Sequence, residues 1–400
     1  MFPVDRPPIG GGCVTATEGR IVELSKKPSG PVRDLGDVAI LPGLVNAHTH
    51  LEFSGLASPI GTPGVSLPDW IRQVMASREE TKEQTQEAIS QGLAECIRFG
   101  TTSVGEISQP GWPAECFEGR PLDTTIFLEC MGLSETRTKE SLEAAQEHLA
   151  AAKGQHDWLA ALSPHAPYTV GFDLLEALVD LSARHHVPLA LHLAESPEEL
   201  ELMQTAGGPF AQLLKERGVW NQEAFRPGTK PLDYLKRLCR AHRALAIHGN
   251  FFESEEVAFV AAHSDRISVV YCPRTHAFFG HPPHPLPQLL AAGASVALGT
   301  DSRASNPDLD LLTEMRFAAR EFPELSAETI LRLGTLDGAV ALGLSEESGS
   351  LTPGKWANLT IVPLPYVVST DPHESLLATD APVVATWYRG RQTFGEGDAI

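Results

Sequence analysis

The sequence predicts an α/β fold: a (β/α)8 TIM barrel carrying a small β-sandwich domain assembled from both chain ends. Two observations lead there. Between residues 38 and 300, eight short apolar runs alternate with longer segments whose apolar residues recur every three or four positions, the pattern of parallel strands joined by crossover helices. Polar residues capable of chemistry stand at the ends of those runs, in the loops after the strands, where such a barrel places its active site.

Residues 9–37 (GGCVTATEGRIVEL and its flanks) are rich in Gly, Val and Thr and read as short antiparallel strands. The eight barrel strands follow as VAILPGLVNAH (38–48), TTSVGEIS (101–108), TTIFLEC (124–130), WLAALSP (158–164), PLALHLAE (188–195), RALAIHG (243–249), ISVVYCP (267–273) and ASVALGTD (294–301). Segments such as TKEQTQEAISQGLAECIRF (81–99) and LLEALVDLSARH (174–185) supply helices with one apolar face between them. The longest connection separates His192 from His248. Its stretch 207–231 ends in a Pro/Gly-marked run, read either as a lid over a pocket or as a surface excursion. The tail, with LTPGKWANLTIVPL and VVATWYRGRQTF, returns to short-strand composition. The expected division is therefore a composite β domain from 1–41 and 349–400, and a barrel from 42–348.

Composition bounds the function. With 51 acidic against 31 basic residues, the formal charge is -20, which argues against nucleic acid and anionic membrane, since both need clustered Lys and Arg. A small molecule is the expected partner. Six cysteines are spread without a CxxC pair, as expected of reduced thiols in a cytoplasmic protein. No basic-then-apolar leader opens the chain, and no long apolar run suits a membrane span.

Five side chains converge on one chemistry. His48 and His50, two apart at a strand end, point the same way and can share a cation. His192, His248 and Asp301 each follow a separate apolar strand, where unpaired polar groups would be costly without a common purpose. Imidazole and carboxylate donors of this kind suit one divalent metal ion, zinc above all, with iron the alternative.

These segments carry a resemblance. PGLVNAHTHL, LHLAES, IHGN and GTDSRASN, with the terminal LTPGKWANL, resemble the amidohydrolase superfamily in its cytosine/adenosine-type aminohydrolase branch. The resemblance implies ligation by His48, His50, His192 and Asp301, with His248 touching the activated water and substrate. It implies that Glu195, in HLAE, shuttles a proton to a ring nitrogen, and that Asp301 passes one to departing ammonia. WLAALSPHAPYTV contains no lysine to bridge two metals, so binuclear chemistry is disfavoured. His165 in the same segment is similar to a histidine that faces substrate in nucleoside deaminases.

Substrate contacts are read from fewer signals. Trp70 and Glu79, nine residues apart, match a spacing in adenosine-like deaminases, where the aromatic covers the ligand and the acid binds ribose hydroxyls. CPRTH (272–276) departs from the usual CPxSN, leaving Arg274 and His276 as candidate specificity residues. The combination of HTHLEFS, the WIRQV helix, HLAES and CPR looks most like the bacterial aminodeoxyfutalosine deaminases of menaquinone biosynthesis. That implies hydrolysis of a 6-aminopurine nucleoside to its 6-oxo product plus ammonia, in a homodimer. Deaminases of S-adenosylhomocysteine, methylthioadenosine, adenosine or guanine, and chlorohydrolases, are the alternatives within the branch; a barrel that has lost catalysis is the alternative outside it.

Overall fold

A computed structural model describes residues 1–28, 30–77, 81–152, 157–364 and 369–395. Fourteen strands occur among them: β1 (Cys13–Thr17), β2 (Arg20–Ser25), β3 (Val38–Pro42), β4 (Leu44–Thr49), β5 (Thr101–Ser108), β6 (Asp123–Cys130), β7 (Trp158–Pro164), β8 (Pro188–Leu193), β9 (Arg243–His248), β10 (Ile267–Tyr271), β11 (Ser295–Leu298), β12 (Leu359–Pro363), β13 (Ala385–Tyr388) and β14 (Arg391–Phe394). β4 to β11 form one eight-stranded sheet in chain order, and every pairing in it is parallel.

The sheet closes on itself at its ends. Thr49 bridges Asp301 in parallel, and the backbone N–H of Asp301 donates to the His48 carbonyl at 3.1 Å. The Asn46 amide reinforces this seam, donating to Thr300 Oγ1 at 2.8 Å and accepting from the Thr300 N–H at 3.1 Å. Side chains from all eight strands fill the interior, including Val45, Ile107, Phe127, Ala161, Ala190, Leu245, Val270 and Ala297. Alternate residues of the same strands, such as Val104, Leu162, Leu191 and Val269, face outward into the larger helix-packed core, as the period of two requires.

One expected strand is two. The run 38–48 breaks after Pro42, so β3 pairs antiparallel with β12 in a separate sheet ordered β14-β13-β12-β3, while β4 enters the barrel. Gly43 is the pivot: a Cβ there would lie 2.0 Å from Thr102 Oγ1. The β1–β2 hairpin packs on the four-stranded sheet through Val14, Ile21, Ile40, Leu359, Ile361 and Trp387. The chain ends also reach the barrel's own core, for Phe2 at one end and Leu376 and Leu377 at the other are buried in it.

The 207–231 stretch contains the helix Gly208–Glu216. Its Phe210 stacks on Tyr168 at 4.0 Å between ring centres, and Glu216 pairs with Arg72 of the helix Leu67–Ser77 at 2.9 Å. No helix among the described residues is long and apolar enough to cross a membrane.

Candidate active site

The strand ends bring the predicted residues together. His48 lies in β4 with His50 just past it, His192 in β8, Glu195 two residues beyond that strand, His248 at the end of β9, and Asp301 three residues past β11. Asp301 Oδ1 is 3.8 Å from Nε2 of both His48 and His50, and Oδ2 is 4.0 Å from His248 Nε2. Ring centres of His48 and His192 are 5.0 Å apart, those of His192 and His248 5.6 Å. Ligand atoms of His48, His192 and His248, and those of His48, His50 and Asp301, fall within 4.8 Å of one another.

Backbone conformation at these positions is unusual. Ala194, His248 and Asp301 all have positive φ, at 53°, 70° and 57°, a region that costs a non-glycine residue about 1 to 3 kcal/mol and persists where surrounding structure holds it. The holders are identifiable. Glu199 accepts hydrogen bonds from the N–H groups of Ala194 at 2.8 Å and Glu195 at 3.0 Å, and Asn250 donates to the Glu195 carbonyl at 3.0 Å. Glu106, at the end of β5, accepts the Leu51 N–H at 3.0 Å and so holds the turn that follows His50.

The donor set fits a divalent cation. Both ring nitrogens of His48 are buried with no hydrogen-bond partner, an expensive state unless a ligand takes up a lone pair. Burial pushes the His48 and His248 imidazoles well below their ordinary range, and that of His192 down to about 4, so the rings are neutral and ready to coordinate. The Nδ1–H of His192 donates to the His165 carbonyl at 2.8 Å, leaving Nε2 as the free electron pair. Burial raises the Asp301 carboxyl to about 7 and that of Glu195 well above the usual range, the latter helped by Asp301 and Glu199 nearby. Such a group of carboxyls among neutral imidazoles is completed by positive charge.

His165 stands beside the cluster, its ring centre 5.3 Å from that of His192. Its Nδ1 and Thr169 Oγ1 share a hydrogen bond at 2.7 Å, and the Thr169 hydroxyl also lies 3.2 Å from the Ala166 carbonyl. The Nε2 of His165 faces Glu129 Oε1 at 3.8 Å. Trp70 lies in the helix Leu67–Ser77, where its indole N–H donates to the Ala304 carbonyl at 3.3 Å and its ring meets Phe279 edge-on at 5.5 Å. Glu79 lies outside the described residues.

Arg274 is held by acidic side chains. Its guanidinium donates to Glu314 and Asp308, at 2.7 Å each. Both partners are acidic and Glu314 is fully buried, so the arginine offsets a buried carboxylate and braces the loops after β10 and β11. His276 is buried beside His281 and His284, ring centres 5.7 Å and 5.9 Å away.

Sequence reading missed the supporting residues. Glu199 had a visible signal, because SPEE has the spacing of a helix N-terminus: Ser196 accepts from the Glu199 N–H at 3.3 Å, while the Glu199 carboxylate turns back to Ala194 and Glu195. Glu106 had a weaker one, as the single acid in an otherwise uncharged strand. His284 had none.

Comparison with known proteins agrees with this geometry. The Amidohydrolase family model matches residues 39–393. A 5-methylthioadenosine/S-adenosylhomocysteine deaminase from Moorella thermoacetica is 29% identical over 388 residues, covering 90% of this chain and 83% of that protein. An aminodeoxyfutalosine deaminase from Deinococcus radiodurans is 29% identical over 350 residues, covering 83% and 80%. Among solved structures, an adenosine deaminase from Xanthomonas campestris with bound zinc superimposes with a TM-score of 0.79 at 26% identity, covering 100% of this chain and 92% of that one. The chain belongs to the amidohydrolase family. It is an enzyme of that family, and the two relatives named above are deaminases.

Proposed function

We propose that the protein hydrolytically deaminates a 6-aminopurine nucleoside, with an aminodeoxyfutalosine-like compound as the preferred substrate. The observation that carries the reading is the pair of triads that share His48, one with His50 and Asp301 and one with His192 and His248, each with its ligand atoms within 4.8 Å of one another, and with Glu195 Oε1 3.5 Å from His248 Nε2. His48, His50, His192 and Asp301 hold one divalent ion, zinc in this reading. When bound, such an ion supplies Lewis-acid activation of water at neutral pH.

The chain's own groups do the rest. Glu195, whose carboxyl is raised by burial, donates a proton to a ring nitrogen of the substrate, which makes the adjacent carbon more electrophilic, and regains one from the hydroxyl of the intermediate as the carbonyl forms and ammonia leaves. His248 orients the attacking water through Nε2. Asp301 accepts a proton from that water and returns it to the departing amine. His165 and Trp70 are assigned to the base in this reading, Arg274 and His276 to substrate selection, and Glu79 to the ribose hydroxyls. The chain assembles as a homodimer in this reading, a point that light scattering checks.

A methylthioadenosine, S-adenosylhomocysteine or adenosine substrate is the second reading. It is favoured by the Moorella relative, which matches as high an identity over more of the chain than the Deinococcus one does. Ammonia release measured across adenine, guanine, adenosine, methylthioadenosine, S-adenosylhomocysteine and aminodeoxyfutalosine separates the two. The highest kcat/KM on aminodeoxyfutalosine supports the first reading, and a free base as best substrate overturns both.

A further inference from the structure

Asp301 presents its two carboxylate oxygens to different partners. Oδ1 lies 3.8 Å from Nε2 of His48 and of His50, whereas Oδ2 lies 4.0 Å from His248 Nε2. A ring nitrogen of His248, the Sγ of Cys272 and a carboxylate oxygen of Asp301 all lie within 4.8 Å of one another. Tetrahedral bonds of about 2.0 Å to N and O and about 2.3 Å to S put such donors about 3.3 to 3.5 Å apart, so the side chains close inward by about an ångström to hold one ion. Glu195 Oε1, 3.5 Å from His248 Nε2, borders the same space.

Cys272 follows β10 and is 1% exposed, packed among the residues that fill the barrel. Its closeness to the histidines depends on Gly299, where an added Cβ would lie 3.2 Å from the thiol sulfur and 2.9 Å from His48 Cβ. A barrel interior needs only an apolar side chain at that depth. A soft donor facing an imidazole and the open side of a ligating carboxylate offers coordination as well.

We propose that the protein carries a second, inhibitory cation subsite formed by Cys272 Sγ, a ring nitrogen of His248 and the Asp301 carboxylate, adjacent to the metal centre on which the proposed function rests. Asp301 bridges the two positions. Filling the subsite breaks the Cys272 S–H bond, forms one S–metal bond and releases one proton to solvent, with no change of oxidation state. A thiolate with an imidazole selects cadmium and zinc over magnesium and calcium. The subsite fills after the primary one because it offers three donors against four, and repulsion from the first ion weakens it further. Occupancy inhibits because it ties up the His248 imidazole that faces Glu195. No lysine bridges the pair from β7, so the second ion adds no productive binuclear centre.

The test titrates the holoenzyme, loaded with one zinc per chain, with cadmium chloride. Metal content, near-ultraviolet sulfur-to-cadmium charge-transfer absorption and ammonia release are followed together. The expected result is a second bound equivalent, with the thiolate band rising and activity falling over the same concentrations. Cys272→Ser should keep the first metal and its turnover, lose the Cys272 part of the band, and need at least ten times more cadmium for half inhibition. If Cys272→Ser fails to keep the first metal, Cys272→Ala is used, and anomalous scattering from cadmium-soaked wild-type crystals locates the ion directly. Inhibition with no thiolate band, equal inhibition of the variant, or cadmium located away from Cys272 overturns the subsite. A chain that holds no first metal overturns the metal reading instead, and the two failures are distinct.

Discussion

The Nε2–H of His284 donates a 2.8 Å hydrogen bond to the backbone carbonyl of His248, and both residues are buried. A carbonyl only accepts, so the single ring proton of a neutral His284 must sit on Nε2. Burial holds that ring neutral, its pKa lowered to about 3. The bond restrains a residue at φ 70°, and His248 Nε2 in turn meets Glu195. His284 is thus a positioning residue. His284→Phe removes the donor from a buried acceptor, a loss of about 1 to 3 kcal/mol, and kcat should fall about tenfold or more, with metal content unchanged and KM moving less than kcat. Unchanged kcat in a folded, metal-loaded variant excludes the role.

In the proposed reading, metal loading depends on four residues. Alanine at His48, His50, His192 or Asp301 should each leave the purified protein well below one ion per chain by elemental analysis, while wild type holds one. Two tightly held ions after growth with zinc, or full loading in any of the four variants, would contradict the assignment.

Glu195→Gln keeps the size of the side chain and loses its titratable proton. Metal should stay bound while turnover drops about 10² to 10⁴-fold. Glu199→Ala tests the support: it releases the N–H groups of Ala194 and Glu195, so a smaller fall in kcat with an altered pH profile is expected. If Glu195→Gln turns over normally, the proton is moved by another group.

Acid sensitivity should trace partly to the histidines behind the site. Burial lowers His281 to about 4, against about 6.5 in an unfolded chain. Between those values the unfolded chain binds more protons than the folded one, so stability falls as pH drops from about 6.5 toward 4. His281→Phe keeps the aromatic packing on Phe279 and removes this proton uptake. Its melting temperature should therefore fall less than that of wild type between pH 7 and pH 5; an equal fall in both rules out His281 as a source.

Ribose recognition is assigned to Glu79. Glu79→Ala should lower kcat/KM for the nucleoside about ten to a hundredfold, the loss of charge-assisted hydrogen bonds worth about 1.5 to 3 kcal/mol, and leave any action on adenine unchanged. An equal fall on both substrates would place Glu79 outside the sugar site.

Much of this was legible along the chain because it depends on local periodicity. β5 to β11 fall within or beside their expected apolar runs, since a strand buried on both faces must be almost wholly apolar and bounded by turns. His48, His50, His192, His248 and Asp301 could be picked out because a polar residue ending such a run has few structural reasons to be there.

What tertiary structure decided was partnership across distance. Arg274 stands in the loop after β10, and only the fold shows that its guanidinium meets Glu314, 40 residues on. The 38–48 run divides between two sheets because Thr102 crowds Gly43 and β12, over 300 residues away in sequence, takes the first half. Nothing in HPPHP announces that His284 will meet the His248 carbonyl. The chain by itself determined which residues lie at strand ends. Closing the barrel determined which of them face one another, because hydrogen bonds and ion pairs depend on ångström distances that no spacing along the sequence encodes.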